Sequence, residues 1–341
     1  MAGARRPRAH LRSPRAKALT SMSEEGGTKA TIAALAANLA IAATKFIAWL
    51  LTGASSMLSE AIHSLADTGN QVLLLAGGRR GARGATAAHP FGYGRQRYIN
   101  AFLVSIILFS AGGLFALYEA VHKASEVLAG HGDELMGSRW WWVPVAVLLV
   151  SAVAESLSLR TALHETRAQR RGRGLLGFVR ATKSPELPAV LLEDTAALAG
   201  LVLALVGIVL TLVTGNGLFD CIGSGLIGVL LVAVAVLLGH EMQSLLLGES
   251  AGPETESRII GALTSTPGVE GVIHMKTVHT GPDQILLAAK IAVTRSESAE
   301  YVAAVIDAAE RTVRGAEPRC EYIYLEPDIR RSGYRPTRRR F

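Results

Sequence analysis

Six stretches of about 20 or more mostly apolar residues constrain this chain more than any other feature. They run roughly over 29–52, 56–78, 98–122, 140–163, 187–213 and 217–240. A helix needs about 20 such residues to cross the hydrocarbon core. Backbone polar groups cannot go unpaired in lipid, so each stretch reads as a membrane helix. Composition agrees, because 50% of the 341 residues are hydrophobic and only 18% are charged, against about 25% charged in typical soluble domains. Trp140, Trp141 and Trp142 open the fourth stretch, where an interfacial aromatic belt belongs.

Orientation follows from Lys and Arg in the short connections. The leading tail, the loop between spans two and three and the loop between spans four and five together carry nineteen. The opposite side carries two, Lys123 and Arg139. Both termini are therefore expected in the cytoplasm, with the chain a multi-pass protein of the cell (inner) membrane. Residues 1–28 read as a disordered basic cytoplasmic tail. They lack the apolar core of a secretory signal. Their Arg-rich, acid-poor composition is shared with transit peptides, whereas the Ala/Gly/Arg bias is that of a GC-rich bacterial genome. Cys221 and Cys320 are too few for a disulfide framework or a Cys-rich zinc module.

The six spans form a membrane domain over 29–240, and after His240 the composition becomes that of a soluble domain, 241–328. A helix is expected near 255–265. Two strands follow, VEGVIHMKTVHT and QILLAAKIAVT, joined through Gly281-Pro282-Asp283. A second helix at about 297–314 puts Val302, Val305, Ile306 and Ala309 on one face. CEYIYLEP then alternates as a strand. Helix-strand-strand-helix-strand describes a small α+β sandwich. Residues 329–341 form a basic tail, either solvated or touching anionic lipid.

An ionisable residue inside the bilayer costs about 2.5–3.5 kcal/mol on insertion scales, so it marks a functional site by default. The second span reads SSMLSEAIHSLADTGNQ. His63 and Asp67 are four apart and share a helix face, with Glu60 one turn before and Asn70 one turn after. An imidazole nitrogen and a carboxylate oxygen on one face supply half of a tetrahedral N/O site for Zn²⁺. The fifth span, PAVLLEDTAALAG, places Glu193 and Asp194 side by side in an apolar run. A lone intramembrane histidine is more often an interhelical hydrogen bond than a ligand. His63, Asp67, Glu193 and Asp194, four acidic or imidazole groups on two spans, point instead to metal or proton translocation.

SSMLSEAIHSLADTGNQ, the loop HPFGYGRQRY, ESLSLRTALHE on span four and the terminal α+β domain together resemble the cation diffusion facilitators, in their zinc-transporter-nine-like branch. The resemblance covers about 29–328. It implies an α-helical membrane protein with a six-transmembrane-helix bundle and a cytoplasmic ferredoxin-like α+β domain that helps pair a homodimer. It implies proton-coupled antiport by alternating access, with a divalent metal ion and protons as the transported species. By motif, His63, Asp67 and Asp194 fall on the metal ligands. His63, an imidazole with an ordinary pKa of about 6.5, is the natural proton acceptor.

The sequence departs from the family pattern at three places. The family's span-five histidine falls on Val190, so the fourth ligand must come from elsewhere. The candidates are a bidentate Asp194, water, or Glu193, which sits about 100° around the helix and needs rotation or distortion to reach. That harder donor set admits Mn²⁺, Fe²⁺ or Co²⁺ beside Zn²⁺. In the loop between spans two and three, His89 matches a metal position of some relatives but Thr86 and Tyr93 do not, so no metal is expected there. In the terminal domain, Ala289 and Leu325 stand near positions that hold regulatory histidines in some relatives. His274 and His279 are five apart on one strand and read as surface histidines. No resident cofactor is expected.

Efflux transport therefore leads. A membrane-anchored regulatory or scaffold protein on a degenerate transporter fold is the alternative, favoured by Val190. No nucleotide fingerprint, phosphate-cradling loop or nucleophile arrangement marks an enzyme. The basic tails do not interleave aromatics as nucleic-acid platforms do.

Overall fold

The computed structural model describes residues 35–330, except for 37, 131–133, 171–173, 175–176 and 180–181. The basic tails lie outside the described residues, apart from Ile329 and Arg330. Four helices are long and apolar enough to cross a membrane: α3 (Gln96–Leu128), α4 (Trp142–Arg170), α5 (Glu186–Thr214) and α6 (Leu218–Leu247). Two helices precede them. The first, α1, is apolar but shorter (Asn38–Thr52). The second, α2 (Ser55–Gly81), runs for 27 residues, and Glu60, His63, Asp67 and Asn70 interrupt its apolar character. Gly53, at φ 64°, makes the turn between α1 and α2 that a side chain would strain.

The helices overrun the sequence expectation on the side facing the terminal domain. α4 continues from the expected end at 163 to Arg170, and α6 from 240 to Leu247. In α6 the extension is held by Met242 and Leu245, buried with Leu238 against Tyr98, Ala101 and Val104 of α3. The middle of α3 is a π-helical segment, Leu108–Leu114, containing Gly112 and Gly113. It lies against α6 at very short range. A Cβ on Gly113 would stand 2.6 Å from Val232 Cγ2, and one on Gly228 would stand 2.9 Å from the Leu117 nitrogen. Gly223 similarly meets the Leu203 carbonyl of α5, at 3.1 Å. Backbone-to-backbone packing of this kind is what small residues permit in membrane helices. Gly225 makes only an ordinary contact with Ala120.

The terminal domain follows the expected order: α7 (Pro253–Thr264), β1 (Val269–Gly281), β2 (Gln284–Val293), α8 (Ala299–Ala316) and β3 (Cys320–Asp328). The sheet order is β1-β2-β3, with β1 and β2 antiparallel and β2 and β3 parallel. Ile285, Leu287, Ala289, Ile291 and Val293 alternate along β2 toward a core shared with Ile259 and Leu263 of α7 and Val305, Ala309 and Val313 of α8. Two helices on one face of that sheet make the ferredoxin-like α+β architecture. Pro253 starts α7 with a φ suited to the first helical turn. Ser298 caps α8 by accepting from the Tyr301 nitrogen.

The domain docks on the helices through a small set of contacts. Arg97, at the start of α3, grips Glu186 at the start of α5 in a two-pronged pair (2.5 and 2.8 Å). Its remaining nitrogen donates to Asp283 in the β1–β2 turn, at 2.9 Å. Gly94 lies against that turn with its Cα side facing Gly281, where a Cβ would come within 2.9 Å. Phe91 meets Tyr322 of β3 edge-on at 5.2 Å. Lys183 pairs with Glu249, and the Glu249 carbonyl accepts from the His279 nitrogen. His279 is accordingly buried, not a surface histidine, and burial pushes its pKa down, whereas His274 is exposed.

Candidate functional site

The polar residues of the second span occupy one continuous face of α2. His63 is buried, and its Nε2 lies 3.5 Å from Asp67 Oδ2 one turn along. Neither ring nitrogen has a hydrogen-bond partner among the described residues, nor does Asp67 Oδ1. The interhelical hydrogen bond expected of a purely structural histidine is therefore not made. A buried unpaired imidazole is costly, which is the price of keeping both nitrogens available.

Glu193 and Asp194 divide between two neighbours. Adjacent residues on a helix differ by about 100°, and the two carboxylates separate accordingly. Glu193 Oε1 accepts from Asn70 Nδ2 of α2 at 2.9 Å, whereas Asp194 Oδ2 accepts from Ser158 Oγ of α4 at 2.9 Å. Glu193 thus turns toward α2 through Asn70, and Asp194 turns toward α4. Val190 packs as a partly buried apolar side chain against the two clusters that contain Ala189 and Leu191. Among the described residues no three His, Cys, Asp or Glu side chains converge closely enough to hold a metal ion. His63 and Asp67 face each other, and the two span-five acids turn to separate partners.

The sequence reading passed over one residue, Lys45. It sits on α1, almost fully buried, with Nζ 2.8 Å from both Glu60 Oε2 and Ser64 Oγ. Its signal was plain: a single lysine within the apolar run TKFIAWLL, which a count of loop cations skips. Glu60 is completely buried, and its other oxygen, Oε1, has no hydrogen-bond partner among the described residues. That oxygen lies at Gly200 of α5, where a Cβ would stand 2.7 Å away. Asp67 is within electrostatic reach of Glu193, Glu155, Glu60 and Lys45. Glu155, on α4, is in turn within reach of Asp194. Five carboxylates are thus linked through neighbouring contacts, and the Lys45 ammonium is within reach of Glu60, Asp67 and Glu155. Such an excess of buried negative charge needs cations or protons to offset it.

Two further clusters tie the α2 and α6 ends. Ser56 Oγ and backbone nitrogen donate to the Asp220 carboxylate, and the Ser59 and Ser224 hydroxyls lie 2.5 Å apart. Away from the membrane, Thr86, His89 and Tyr93 form a closed turn. The Thr86 and His89 backbones bond reciprocally at 3.1 Å, and the His89 ring packs edge-on to Tyr93 at 4.5 Å. Near the end of α3, His122 stacks on Tyr118, and Lys123 pairs with Glu126 at 3.3 Å.

Comparison with known proteins bears on this arrangement. Residues 31–247 match the family profile of the cation efflux transmembrane domain. The chain is 33% identical over 280 residues to the Mus musculus "Proton-coupled zinc antiporter SLC30A9, mitochondrial", an alignment covering 82% of this chain and 48% of that protein. It is 26% identical over 272 residues to metal tolerance protein C4 of Arabidopsis thaliana, covering 79% and 58% respectively. It is 26% identical over 261 residues to the cation-efflux pump FieF of Pectobacterium atrosepticum, covering 76% and 79%. The chain spans about half the length of the curated SLC30A9 relatives it matches. With the whole of α1 to α6 inside the matched profile and the polar seam of α2 and α5 at its centre, the chain belongs to the cation efflux family of membrane transport proteins, the cation diffusion facilitators, in their zinc-transporter-nine-like branch.

Proposed function

We propose that this chain exports a divalent metal ion, with Zn²⁺ the leading cargo and Mn²⁺, Fe²⁺ or Co²⁺ admitted by its donor set, in exchange for protons. His63, Asp67 and Asp194 bind the ion, and Glu193 completes the carboxylate charge around it. The supporting observation is the buried His63–Asp67 pair, whose imidazole nitrogens have no hydrogen-bond partner among the described residues and which lies within reach of Glu60 on α2, Glu193 on α5 and Glu155 on α4. A divalent cation offsets that negative charge, and so do protons, which makes exchange of one for the other the natural cycle.

Alternating access moves the site between the two faces of the membrane, with α1 to α6 as six spans and both termini in the cytoplasm. In a bacterial cell that membrane is the inner one. The ferredoxin-like domain helps pair two copies. The names of the relatives, a proton-coupled zinc antiporter and a cation-efflux pump among them, support cargo and coupling alike. A second reading, a scaffold on a degenerate transporter fold, draws on Val190 and on the divergent partners of Glu193 and Asp194. Metal-stimulated proton flux in proteoliposomes separates the two. Transport requires flux in the wild type and its loss in Asp67→Ala; no flux in either supports the scaffold.

A further inference from the structure

We infer that the amide oxygen of Asn70 is a ligand to the transported metal ion, filling the coordination position that Val190 cannot. The inference rests on the metal-transport reading above and names the missing donor of that site.

Asn70 is completely buried on α2, one turn beyond Asp67. Its Nδ2 donates to Glu193 Oε1 at 2.9 Å, and its Oδ1 is buried without a hydrogen-bond partner among the described residues. A carboxylate only accepts, so an ionised Glu193 fixes which end of the amide it faces. The carbonyl oxygen is thereby turned away from Glu193 and left unpaired. Buried amide oxygens are ordinarily satisfied, so this one has a position open to a partner that enters the α2–α5 seam.

Helix geometry says where that partner sits. His63, Asp67 and Asn70 fall within a 60° arc of α2, at about 100° per residue. Side chains lean toward the helix N-terminus, so Asn70 leans back over Asp67, roughly 4.5 Å below along the axis. His63 meets Asp67 from the other side, with Nε2 at 3.5 Å from Oδ2. Asp67 Oδ1 is also buried and has no hydrogen-bond partner among the described residues. One imidazole, one carboxylate and one amide oxygen thus line one face of α2 over about two turns, and Asp194 joins them as a fourth donor when α5 turns it away from Ser158. Glu193 then acts as a positioning residue that aims the amide.

An amide oxygen is a harder donor than the imidazole it replaces, and hard oxygen donors favour ions such as Mn²⁺ relative to Zn²⁺. Asn70 is for that reason also a selectivity residue.

The test is titration of the purified full chain with Zn²⁺ and with Mn²⁺ by calorimetry, alongside Co²⁺ absorption as a report on the coordination sphere. Asn70→Leu is expected to weaken Zn²⁺ binding by more than about tenfold and to shift the Co²⁺ bands. Asn70→Asp keeps an oxygen but replaces the donor to Glu193 with a like charge, so its Co²⁺ bands should stay closer to wild type than those of Asn70→Leu. Asn70→His is expected to raise the Zn²⁺-to-Mn²⁺ affinity ratio. Glu193→Gln, which still accepts from the amide, is expected to lose less affinity than Glu193→Leu, which releases it. If Asn70→Leu binds like wild type with unchanged Co²⁺ bands while Asp67→Ala abolishes binding, the Asn70 inference fails and the transport site stands. If Asn70→Leu does not fold, Asn70→His decides: an unchanged Zn²⁺-to-Mn²⁺ affinity ratio there overturns the inference, because the donor atom has been exchanged without effect. If the wild type binds neither ion, the metal-site reading fails with it.

Discussion

Lys45 offers the sharpest perturbation of the membrane core. Its ammonium lies 2.8 Å from Glu60 Oε2 and from Ser64 Oγ, with both members of the ion pair almost fully buried. Lys45→Met keeps much of the side-chain volume but strands the Glu60 carboxylate, whose Oε1 already lacks a hydrogen-bond partner among the described residues. Removing one partner of a buried pair costs about 3–5 kcal/mol, because the other charge stays buried and uncompensated. At roughly 2–4 °C per kcal/mol for a chain of this order of size, the melting temperature should fall on the order of 10 °C. Lys45→Met combined with Glu60→Gln removes both charges and should recover most of the loss, since neutral replacement of a whole buried pair is often tolerated. The assay is thermal denaturation of the detergent-purified protein, followed by the loss of its monodisperse chromatographic peak. A single variant that melts within about 2 °C of wild type would refute the reasoning, for it would put the cost below about 1 kcal/mol. So would a double variant no more stable than the single one.

Two further perturbations test the packing and the terminal domain. Gly228→Ala places a Cβ 2.9 Å from the Leu117 nitrogen and 3.0 Å from the Gly113 carbonyl, so it should destabilise the α3–α6 contact by about 1–3 kcal/mol. Gly69→Ala, on α2 with open space around its Cβ, should instead be neutral or stabilise by about 0.5–1 kcal/mol; melting temperatures that move together in both variants would contradict the close approach. In the terminal domain, the Arg319 hydrogen bond, with Arg258, draws the Glu317 carboxyl down from the ordinary 4.5 to about 2. A depressed carboxyl stabilises the fold fully above about pH 4.5 and loses that contribution as the pH falls toward 2, an effect of about 2–3 kcal/mol. Circular dichroism melts of the full chain at pH 6, 4 and 3 should show wild type losing stability faster than Glu317→Gln, and parallel curves would remove Glu317 from the account.

The membrane architecture was legible because hydrocarbon imposes its own length and polarity on a chain. The runs near 187–213 and 217–240 start within about a residue of α5 and α6. What ends a helix outside the hydrocarbon is a different matter. Met242 and Leu245 carry α6 onward by packing on α3, and no property of the residues themselves announces that neighbour. The same division runs through the site. His63, Asp67, Glu193 and Asp194 stand out in sequence because charge in an apolar run is costly. Which of the adjacent acids faces α2 depends on the rotation of α5, and the structure assigns Glu193 there and Asp194 to Ser158. Lys45 was visible as a lone cation in the first span, but its partner lies fifteen residues away on another helix. The π-helical turn at Gly112 and Gly113 likewise becomes intelligible only with Val232 and Gly228 opposite it.

The position of Arg97 links these two levels. Glu186, which it grips, precedes Glu193 by seven residues on α5, two turns along and within about 20° of the same face. The stripe of α5 that presents Glu193 to α2 therefore begins at a clamp shared with α3. Through Asp283 that clamp also holds the turn between the first two strands of the terminal domain. Rotation of α5 that brought Asp194 toward His63 and Asp67 would swing Glu186 by a similar angle about Arg97. Arg97 would have to follow Glu186 and release Asp283, or keep Asp283 and carry the terminal domain along. Gly94 narrows the choice: its Cα side faces Gly281, with no room for even a methyl group between the loop and the turn. At contact that close, the turn moves more readily with the loop than away from it.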